Sequence, residues 1–183
     1  TTFRGESGYE DGRRPEEVTF LRDVREDLAR RDFTVNAFAF DPISGAFFDE
    51  FDGLLDLSRQ RIRAVGDPSA RFSEDGLRVI RGLRFCATLG FEMEEATFRA
   101  IAPQLSVFEK VARERVRVEL LKLLSAPLPS SALAAMATSG VWERVLPPVA
   151  EAQREELGGL VDAAAPEGLV RLSMVLRASV TLG

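Results

Sequence analysis

The chain has 183 residues, of which 45% are hydrophobic, and its 24 basic and 29 acidic side chains give a net charge of −5. This composition is ordinary for a globular protein, and the length suffices for one sizeable core or two small ones. No apolar run approaches the ~18 residues that a membrane-spanning helix needs. The sequence contains no histidine, which excludes histidine-based acid–base chemistry and histidine metal sites. Its single cysteine, Cys86, cannot form an internal disulfide, which fits a reducing cytoplasm.

Residues 1–66 predict short strands separated by loops and turns. Glycine, proline and mixed charge at 5–17 are typical of a mobile loop. Aromatic and small residues at 34–40 indicate a buried segment, with strand and helix both open. The other elements expected here are the end of a strand at 1–4, a strand at 18–21, a helix or turn at 23–29, a turn at 42–45, and strands at 46–49 and 62–65.

From residue 67 onward the hydrophobic period becomes helical. Ser73 suits the N-cap of a helix that runs through Leu89, and Gly90 suits its end. The buried stripe of this helix is predicted to consist of Leu77, Ile80, Leu83 and Ala87. Further helices are expected at 94–102, 113–124, 130–138, 153–164 and 167–182, with Gly140 ending the third of these.

One acid and three arginines recur at three-residue intervals in the first long helix: Asp75, Arg78, Arg81 and Arg84. Residues three apart are neighbours on a helix surface. A carboxylate only accepts hydrogen bonds and a guanidinium only donates them. The acid and one arginine can therefore read a nucleobase edge while the other arginines hold phosphates. On spacing alone, the ordinary explanation is a solvated helix face held by acid–base pairs.

A second polar cluster lies upstream, next to the apolar segment that begins at Phe38. It contains Arg30, Arg31, Asp32 and Asn36. Such groups at the edge of a core suit the binding of a sugar hydroxyl and a triphosphate. Ordinary capping at a helix N-terminus explains the same residues as well.

Four stretches occur together in the order found in one enzyme family. They are residues 27–37, 48–57, 62–72 and the Glu74-Asp75-x-x-Arg78 segment, followed by weaker matches at 114–116, 140–141 and 146–147. The chain resembles the class II tRNA nucleotidyltransferases, which are the bacterial CCA-adding enzymes, and the related bacterial poly(A) polymerases. The resemblance covers roughly residues 1–148, and an ordered set of this length is more specific than any single short pattern.

The resemblance implies roles for individual residues. Arg31 matches a contact of the incoming nucleotide, and Asp32 and Asn36 match positions linked with its ribose. Asp75 and Arg78 match the pair that bonds the base edge of CTP or ATP, so that protein side chains replace a nucleic-acid template. Arg81 and Arg84 match further nucleotide contacts.

The resemblance also implies an α+β fold. The expected architecture is the C-terminal part of a polymerase-β-like nucleotidyltransferase head, followed by an all-α neck and body. We expect head residues at 1–66, a helical neck that recognises the base at 67–125, and the start of a helical body on the RNA-binding side at 126–183.

Phosphoryl transfer in this superfamily uses metal ions held by carboxylates. The family's metal-binding segment lies upstream of the Arg-Arg-Asp motif, so the Mg²⁺ ligands are expected before Thr1. We therefore expect no catalytic residue and no metal ligand in this chain, and no activity from the chain alone.

Three functions remain open. The first is template-independent addition of C, A or both to the 3′ end of tRNA. The second is a bacterial poly(A) polymerase, because residues 53–84 fit both, although Glu114-Arg115-Val116 leans towards the tRNA enzymes. The third is an RNA-binding remnant without catalysis.

The expected partners are the tRNA 3′ end and CTP or ATP, in the cytoplasm and without a membrane. The net negative charge argues mildly against RNA binding. However, all basic residues except Lys110 and Lys122 are arginines, which suit bidentate phosphate contacts. We expect weak, salt-sensitive RNA binding by this chain.

Overall fold

The computed structural model describes residues 3–10, 14–21, 24–146 and 148–180, and for 3–10, 14–21, 152 and 180 it gives the backbone only. It begins with a hairpin in which β1 (Phe3–Glu10) pairs antiparallel with β2 (Arg14–Leu21), from Phe3 opposite Leu21 to Glu10 opposite Arg14. The loop expected at 5–17 is therefore wrong where these strands lie. Glycines and charged residues indicated a loop. However, the hydrogen bonds between paired strands join backbone groups, so a two-stranded ribbon can contain glycine and charged side chains. Residues 1, 2, 11–13, 23, 181 and 182 of the predicted elements lie outside the described residues.

Short elements follow up to residue 66. They are α1 (Val24–Ala29), a 3-10 turn (Thr34–Asn36), β3 (Ala39–Phe40), β4 (Phe47–Phe48), α2 (Gly53–Ser58) and β5 (Arg61–Ile62). β3 pairs antiparallel with β4 across a turn in which Gly45 has φ +74°. The segment at 34–40 is thus a 3-10 turn and then a strand, buried at Thr34 and Ala37 but exposed at Phe40.

A buried carboxylate joins these short elements. Asp56 of α2 is 2% exposed and accepts hydrogen bonds from Thr34 Oγ1 and Arg63 Nε, both at 2.7 Å. Arg63 Nη2 also donates to the Phe51 carbonyl at 2.7 Å. The side chain of Asp56 therefore holds α2 against both the 3-10 turn and the segment after β5, which is a structural role.

The rest of the described chain is helical. It contains α3 (Pro68–Glu74), α4 (Leu77–Leu89), β6 (Glu92–Met93), α5 (Glu95–Arg99), a 3-10 turn (Ala102–Gln104), α6 (Leu105–Phe108), α7 (Arg113–Leu124), α8 (Ser130–Ser139), α9 (Trp142–Val145), α10 (Glu151–Ala163) and α11 (Gly168–Val180). The bounds expected for α7 are confirmed, and so are the helix ends at Gly90 and Gly140, whose φ values are +68° and +80°. The expected α+β class with a helical body is confirmed.

The helix expected to start at Ser73 is instead two helices. Asp67 caps α3, accepting from the amides of Ser69 and Ala70 at 3.3 and 3.1 Å. Ser73 lies inside α3, so the predicted N-cap is wrong. The chain breaks at Asp75, whose backbone is extended (φ −148°, ψ 105°). At Gly76, a Cβ would lie 2.8 Å from the Phe108 backbone, so this close approach requires glycine.

One hydrophobic core extends from Phe33 to Val175. The predicted stripe of α4 is confirmed, since Leu77, Ile80, Leu83 and Ala87 are all buried, together with Val79. α4 packs on α7 and α8, α7 on α11, and α8 on α10. Burial of each Leu or Ile side chain stabilises the fold by about 1.5–3 kcal/mol. The buried stripe therefore holds α4 firmly in the core, and this fixes the positions of the arginines that α4 carries.

Candidate nucleotide-binding site

A polar cavity of about 550 Å³ lies where the segment after α1 faces α4. It is lined by Arg30, Arg31, Asp32, Asn36, Asp75, Arg78, Arg81 and Phe85. The two clusters singled out in the sequence thus meet at one place. Six of the seven predicted nucleotide contacts line this cavity, and Arg84 does not.

The segment after α1 is held against residues 63–65, which follow β5, and Phe33 forms an antiparallel bridge with Ala64. The Thr34 amide donates to the Arg63 carbonyl at 2.9 Å, and the Val65 amide donates to the Asp32 carbonyl at 3.2 Å. The Phe33 side chain between them is fully buried. Alternation along this extended segment therefore sends Phe33 into the core and leaves Asp32 at the edge of the cavity.

Asp27 of α1 fixes the two arginines at this side of the cavity. It is 3% exposed and accepts from Arg30 Nη2 at 2.5 Å and from Arg31 Nη2 at 2.7 Å. Burial raises the pKa of Asp27, but the hydrogen bonds and charges of Arg31 and Arg30 outweigh burial, so its pKa lies below the ordinary 3.8. Asp27 is thus an ionised anchor beneath the cavity.

Asp32 connects this segment to α4. Its Oδ2 accepts from Arg81 Nε at 2.9 Å and from Arg81 Nη2 at 2.6 Å. Its Oδ1 accepts from the Phe33 amide at 2.9 Å and from Asn36 Nδ2 at 3.3 Å. Asp32 and Asn36 of the upstream cluster and Arg81 of α4 therefore form one hydrogen-bonded group.

Arg78 is held by three acceptors. Its Nη1 donates to the Arg71 carbonyl at 2.9 Å and to Glu74 Oε2 at 2.7 Å, and its Nη2 donates to the Arg30 carbonyl at 2.9 Å. Glu74 also accepts from Arg71 Nη2 at 2.7 Å. A guanidinium has five N–H donors, so these three bonds leave Nε and one Nη2 hydrogen for a ligand.

Asp75 lies at the start of α4. Its Oδ1 accepts from the Leu77 amide at 3.0 Å, and its Oδ2 accepts from Arg115 Nη2 of α7 at 3.1 Å. The Asp75 side chain remains 30% exposed. Because each carboxylate oxygen has two lone pairs, Asp75 keeps acceptor capacity towards the cavity.

Arg84 points to a different set of partners. Its Nε donates to Glu119 Oε2 at 2.6 Å, and Lys122 Nζ lies 3.1 Å from Glu119 Oε1. Its Cζ lies 3.9 Å from the centroid of the Phe85 ring. The predicted contact of Arg84 with a nucleotide stays a prediction.

Sequence reasoning placed Arg30 in the upstream polar cluster but gave it no individual role, and it gave no site role to Phe85 or Arg115. Arg30 and Phe85 each adjoin a predicted contact, so proximity in sequence could have indicated them. Arg115 lies 40 residues from Asp75 in the chain, and no local pattern connects the two.

The cavity combines four arginines with two aspartates, so its lining is net positive. Fixed guanidiniums suit phosphate oxygens, and an acceptor beside them suits a base or sugar. Within the described ranges, no group of three or more Asp, Glu, Cys or His side chains could hold a metal ion. Nor is any described helix long and apolar enough to cross a bilayer.

Another cavity, of about 330 Å³, lies between α7 and α11. Its lining is mostly apolar, and includes Phe108, Leu120 and Leu172. Arg144 at its edge is paired with Glu109 at 2.9 Å. The polar cavity brings residues of both sequence clusters together, so we take it as the candidate site.

Most of the chain is similar to known proteins. Residues 1–63 match a family model described as "Poly A polymerase head domain", and residues 90–153 match one described as "Probable RNA and SrmB- binding site of polymerase A". The CCA-adding enzyme of Levilactobacillus brevis is 49% identical over 143 residues, 78% of this chain and 36% of that enzyme. The CCA-adding enzyme of Enterococcus faecalis is 55% identical over 124 residues, 68% of this chain and 30% of that enzyme.

The chain belongs to the family of class II tRNA nucleotidyltransferases and bacterial poly(A) polymerases. It spans about a third of the length of the curated relatives that it matches. The expected family membership is thereby confirmed.

Solved structures of this family share the fold. The Bacillus stearothermophilus CCA-adding enzyme in complex with CTP has a TM-score of 0.70 and 39% identity, over 80% of this chain and 36% of that chain. A tRNA nucleotidyltransferase complexed with a primer tRNA and an incoming ATP analog has a TM-score of 0.72 and 25% identity, over 84% and 50% of the two chains.

Proposed function

We propose that this chain is part of an enzyme that adds C, A or both to the 3′ end of tRNA without a nucleic-acid template. The observation that carries the proposal is the cavity in which Asp75 and Arg78 lie beside Arg31, Asp32 and Arg81. Relatives named as CCA-adding enzymes and a structure titled as a complex with CTP support the same activity.

The proposed roles follow from the donors and acceptors of each group. Asp75 and the remaining donors of Arg78 bond the Watson–Crick edge of CTP or ATP, which selects the base. Arg31 and Arg81 hold phosphate oxygens, because guanidiniums bind phosphate in a fixed geometry. Asp32 and Asn36 bond the ribose hydroxyls, which favours ribonucleotides. These side chains bind and orient the nucleotide, and none of them moves a proton.

The metal is proposed to be Mg²⁺, which would neutralise the triphosphate and activate the 3′ hydroxyl. The carboxylates of the cavity do not suit it, because Asp32 bonds Arg81 and Asp75 bonds Arg115. Its ligands are therefore proposed to lie outside the described residues.

The division of the chain is also proposed. We assign 1–66 to the head, 67–125 to the neck and 126–183 to the body, with the cavity between head and neck. The head model that matches 1–63 supports the first boundary. The proposed place of action is the cytoplasm, where tRNA is processed.

A poly(A) polymerase is the second candidate, favoured by the description of the head-domain match. The test gives the complete protein CTP, ATP and Mg²⁺ with either a tRNA that lacks its 3′ CCA or an unrelated RNA of equal length. We expect short additions of C or A to the tRNA only. Long A tails on both RNAs would establish the polymerase instead, and no addition to either would overturn both.

A further inference from the structure

Phe85 is the one apolar side chain in a cavity lining that, within the described part of the chain, otherwise consists of charged and amide groups. A nucleotide has an anionic end and an aromatic heterocycle. The arginines of the cavity suit the anionic end, and Asp75 and Arg78 suit the edge of the heterocycle. The two faces of the heterocycle are apolar and pack best against another apolar surface, and the Phe85 ring offers that surface.

The ring of Phe85 is held in place by Phe33 and two arginines, of which Arg81 has its Cζ 5.6 Å from the ring centroid. The Phe85 centroid lies 5.8 Å from that of Phe33, with the planes at 78°, and Phe33 is fully buried. On another side, Arg84 Cζ lies 3.9 Å from the ring centroid. This is a cation–π contact, well within the ~6 Å over which such contacts attract.

Arg84 is itself fixed by a buried acid. Its side chain is 13% exposed, and it bonds Glu119, which is 5% exposed. Glu119 is held in turn by Lys122. The contacts therefore run from Glu119 on α7 through Arg84 to Phe85, and they end at the cavity.

We propose that the base of the bound nucleotide stacks on Phe85, and that Arg84 positions this ring rather than touching the nucleotide. This inference rests on the proposed function. Stacking tolerates any base because every base has a π-face. Phe85 therefore contributes affinity without selectivity, whereas Asp75 and Arg78 contribute selectivity.

The test measures KM and kcat of the complete protein for CTP and ATP with Phe85→Leu, Phe85→Tyr and Arg84→Lys. We expect Phe85→Leu to raise KM for both nucleotides by the same factor, about 10-fold, with kcat changed less. Phe85→Tyr keeps the ring and should stay near the wild type. Inorganic tripolyphosphate, which has no base, should inhibit the wild type and Phe85→Leu equally.

Arg84→Lys keeps the charge but loses the flat guanidinium that covers the ring. If Arg84 acts through Phe85, Arg84→Lys should raise KM for the nucleotides. The double variant that combines Arg84→Lys with Phe85→Leu should then have the same KM as Phe85→Leu alone. If Arg84 instead bonds phosphate, Arg84→Lys should weaken tripolyphosphate inhibition and the two effects should add. That result would overturn the positioning role.

The matched control is Phe98→Leu, because Phe98 is also half-buried but lines a different cavity; its KM values should equal those of the wild type. Unchanged KM in Phe85→Leu, or a change for one base only, would overturn the stacking role. Should Phe85→Leu fail to fold, nuclear Overhauser contacts between CTP base protons and the Phe85 ring in the wild type decide, and their absence refutes it. A wild type that adds neither C nor A to tRNA would refute the proposed function instead.

Discussion

Arg81 donates two hydrogen bonds to a single oxygen of Asp32, from Nε at 2.9 Å and from Nη2 at 2.6 Å. The two residues lie 49 positions apart in the chain. Asp32 is 10% exposed at its side chain and Arg81 31%. This partly buried ion pair therefore joins the segment after α1 to α4 and sets the width of the proposed nucleotide site.

Replacing Asp32 by alanine should lower the free energy of unfolding by about 1–3 kcal/mol, because Arg81 and the Phe33 amide lose their acceptor. The exposure of Arg81 to solvent favours the lower end of this range. Urea unfolding measures the change. Glu95→Gln is the control, because Glu95 pairs with Arg99 on the surface and should cost no more than about 0.5 kcal/mol. Equal losses in the two variants would contradict the importance of the Asp32 pair.

Asp75→Ala should impair the choice of base more than the affinity for triphosphate. The substitution removes the acceptor but leaves Arg31 and Arg81 in place. Loss of a bidentate base contact costs ~1–3 kcal/mol of discrimination, measured in the complete protein as kcat/KM for CTP and ATP against UTP and GTP.

Asp67→Ala is the matched control for this variant. It removes another helix-capping acid, which bonds the Ser69 and Ala70 amides, but Asp67 does not line the cavity. It should lower stability by about 1 kcal/mol and leave base selectivity intact. Unchanged selectivity in Asp75→Ala would remove Asp75 from the site.

Local pattern was sufficient where one helix determines its own bounds and buried face. The apolar spacing of α7 gave its two ends, and the left-handed C-caps at Gly90 and Gly140 followed from residue type. The stripe of α4 followed from its period in the same way. These features depend on residues within one or two turns, so the sequence alone carries them.

Tertiary contacts decided the features that sequence reasoning missed. At the break between α3 and α4, Gly76 approaches Phe108, which lies far along the chain, and no capping rule at Ser73 reports this contact. Spacing placed Arg84 with Arg78 and Arg81, but Glu119, 35 residues later, draws it to α7. A three-residue interval shows which side chains share a helix face and cannot show which of them finds a partner on another helix.

Glu119 should contribute stability that depends on pH. Burial raises its pKa, but the hydrogen bond from Lys122 and the charge and hydrogen bond of Arg84 outweigh burial, so the pKa in the folded protein lies below the ordinary 4.5. A carboxyl with a depressed pKa stabilises the fold fully above its unfolded value, and this stability is lost as the pH falls through the folded pKa.

Comparison with Glu119→Gln isolates this contribution. The variant should be less stable than the wild type at about pH 6, and the gap in unfolding free energy should narrow as the pH falls below 4.5. Asp27 also has a lowered pKa, so both proteins will weaken in acid and only the gap reports Glu119. A gap that stays constant from about pH 6 to about pH 3.5 would contradict the ionised pair.

Among the charged side chains of the helical body, Arg171 should be the one whose replacement lowers the free energy of unfolding most. It is 1% exposed, and its guanidinium donates to the carbonyls of Leu124 at the end of α7, Ala126 just after α7 and Ala164 after α10, at 2.9, 2.5 and 2.8 Å. These carbonyls lie at helix C-termini, where a positive charge is favourable. Arg171→Met fills a similar volume but leaves the carbonyls without donors, so it should cost about 3 kcal/mol or more. Arg171→Lys should recover only part of the lost stability, because one ammonium cannot span both helix ends. Thermal unfolding measures both variants. A melting temperature of Arg171→Met equal to that of the wild type would refute this bridging role.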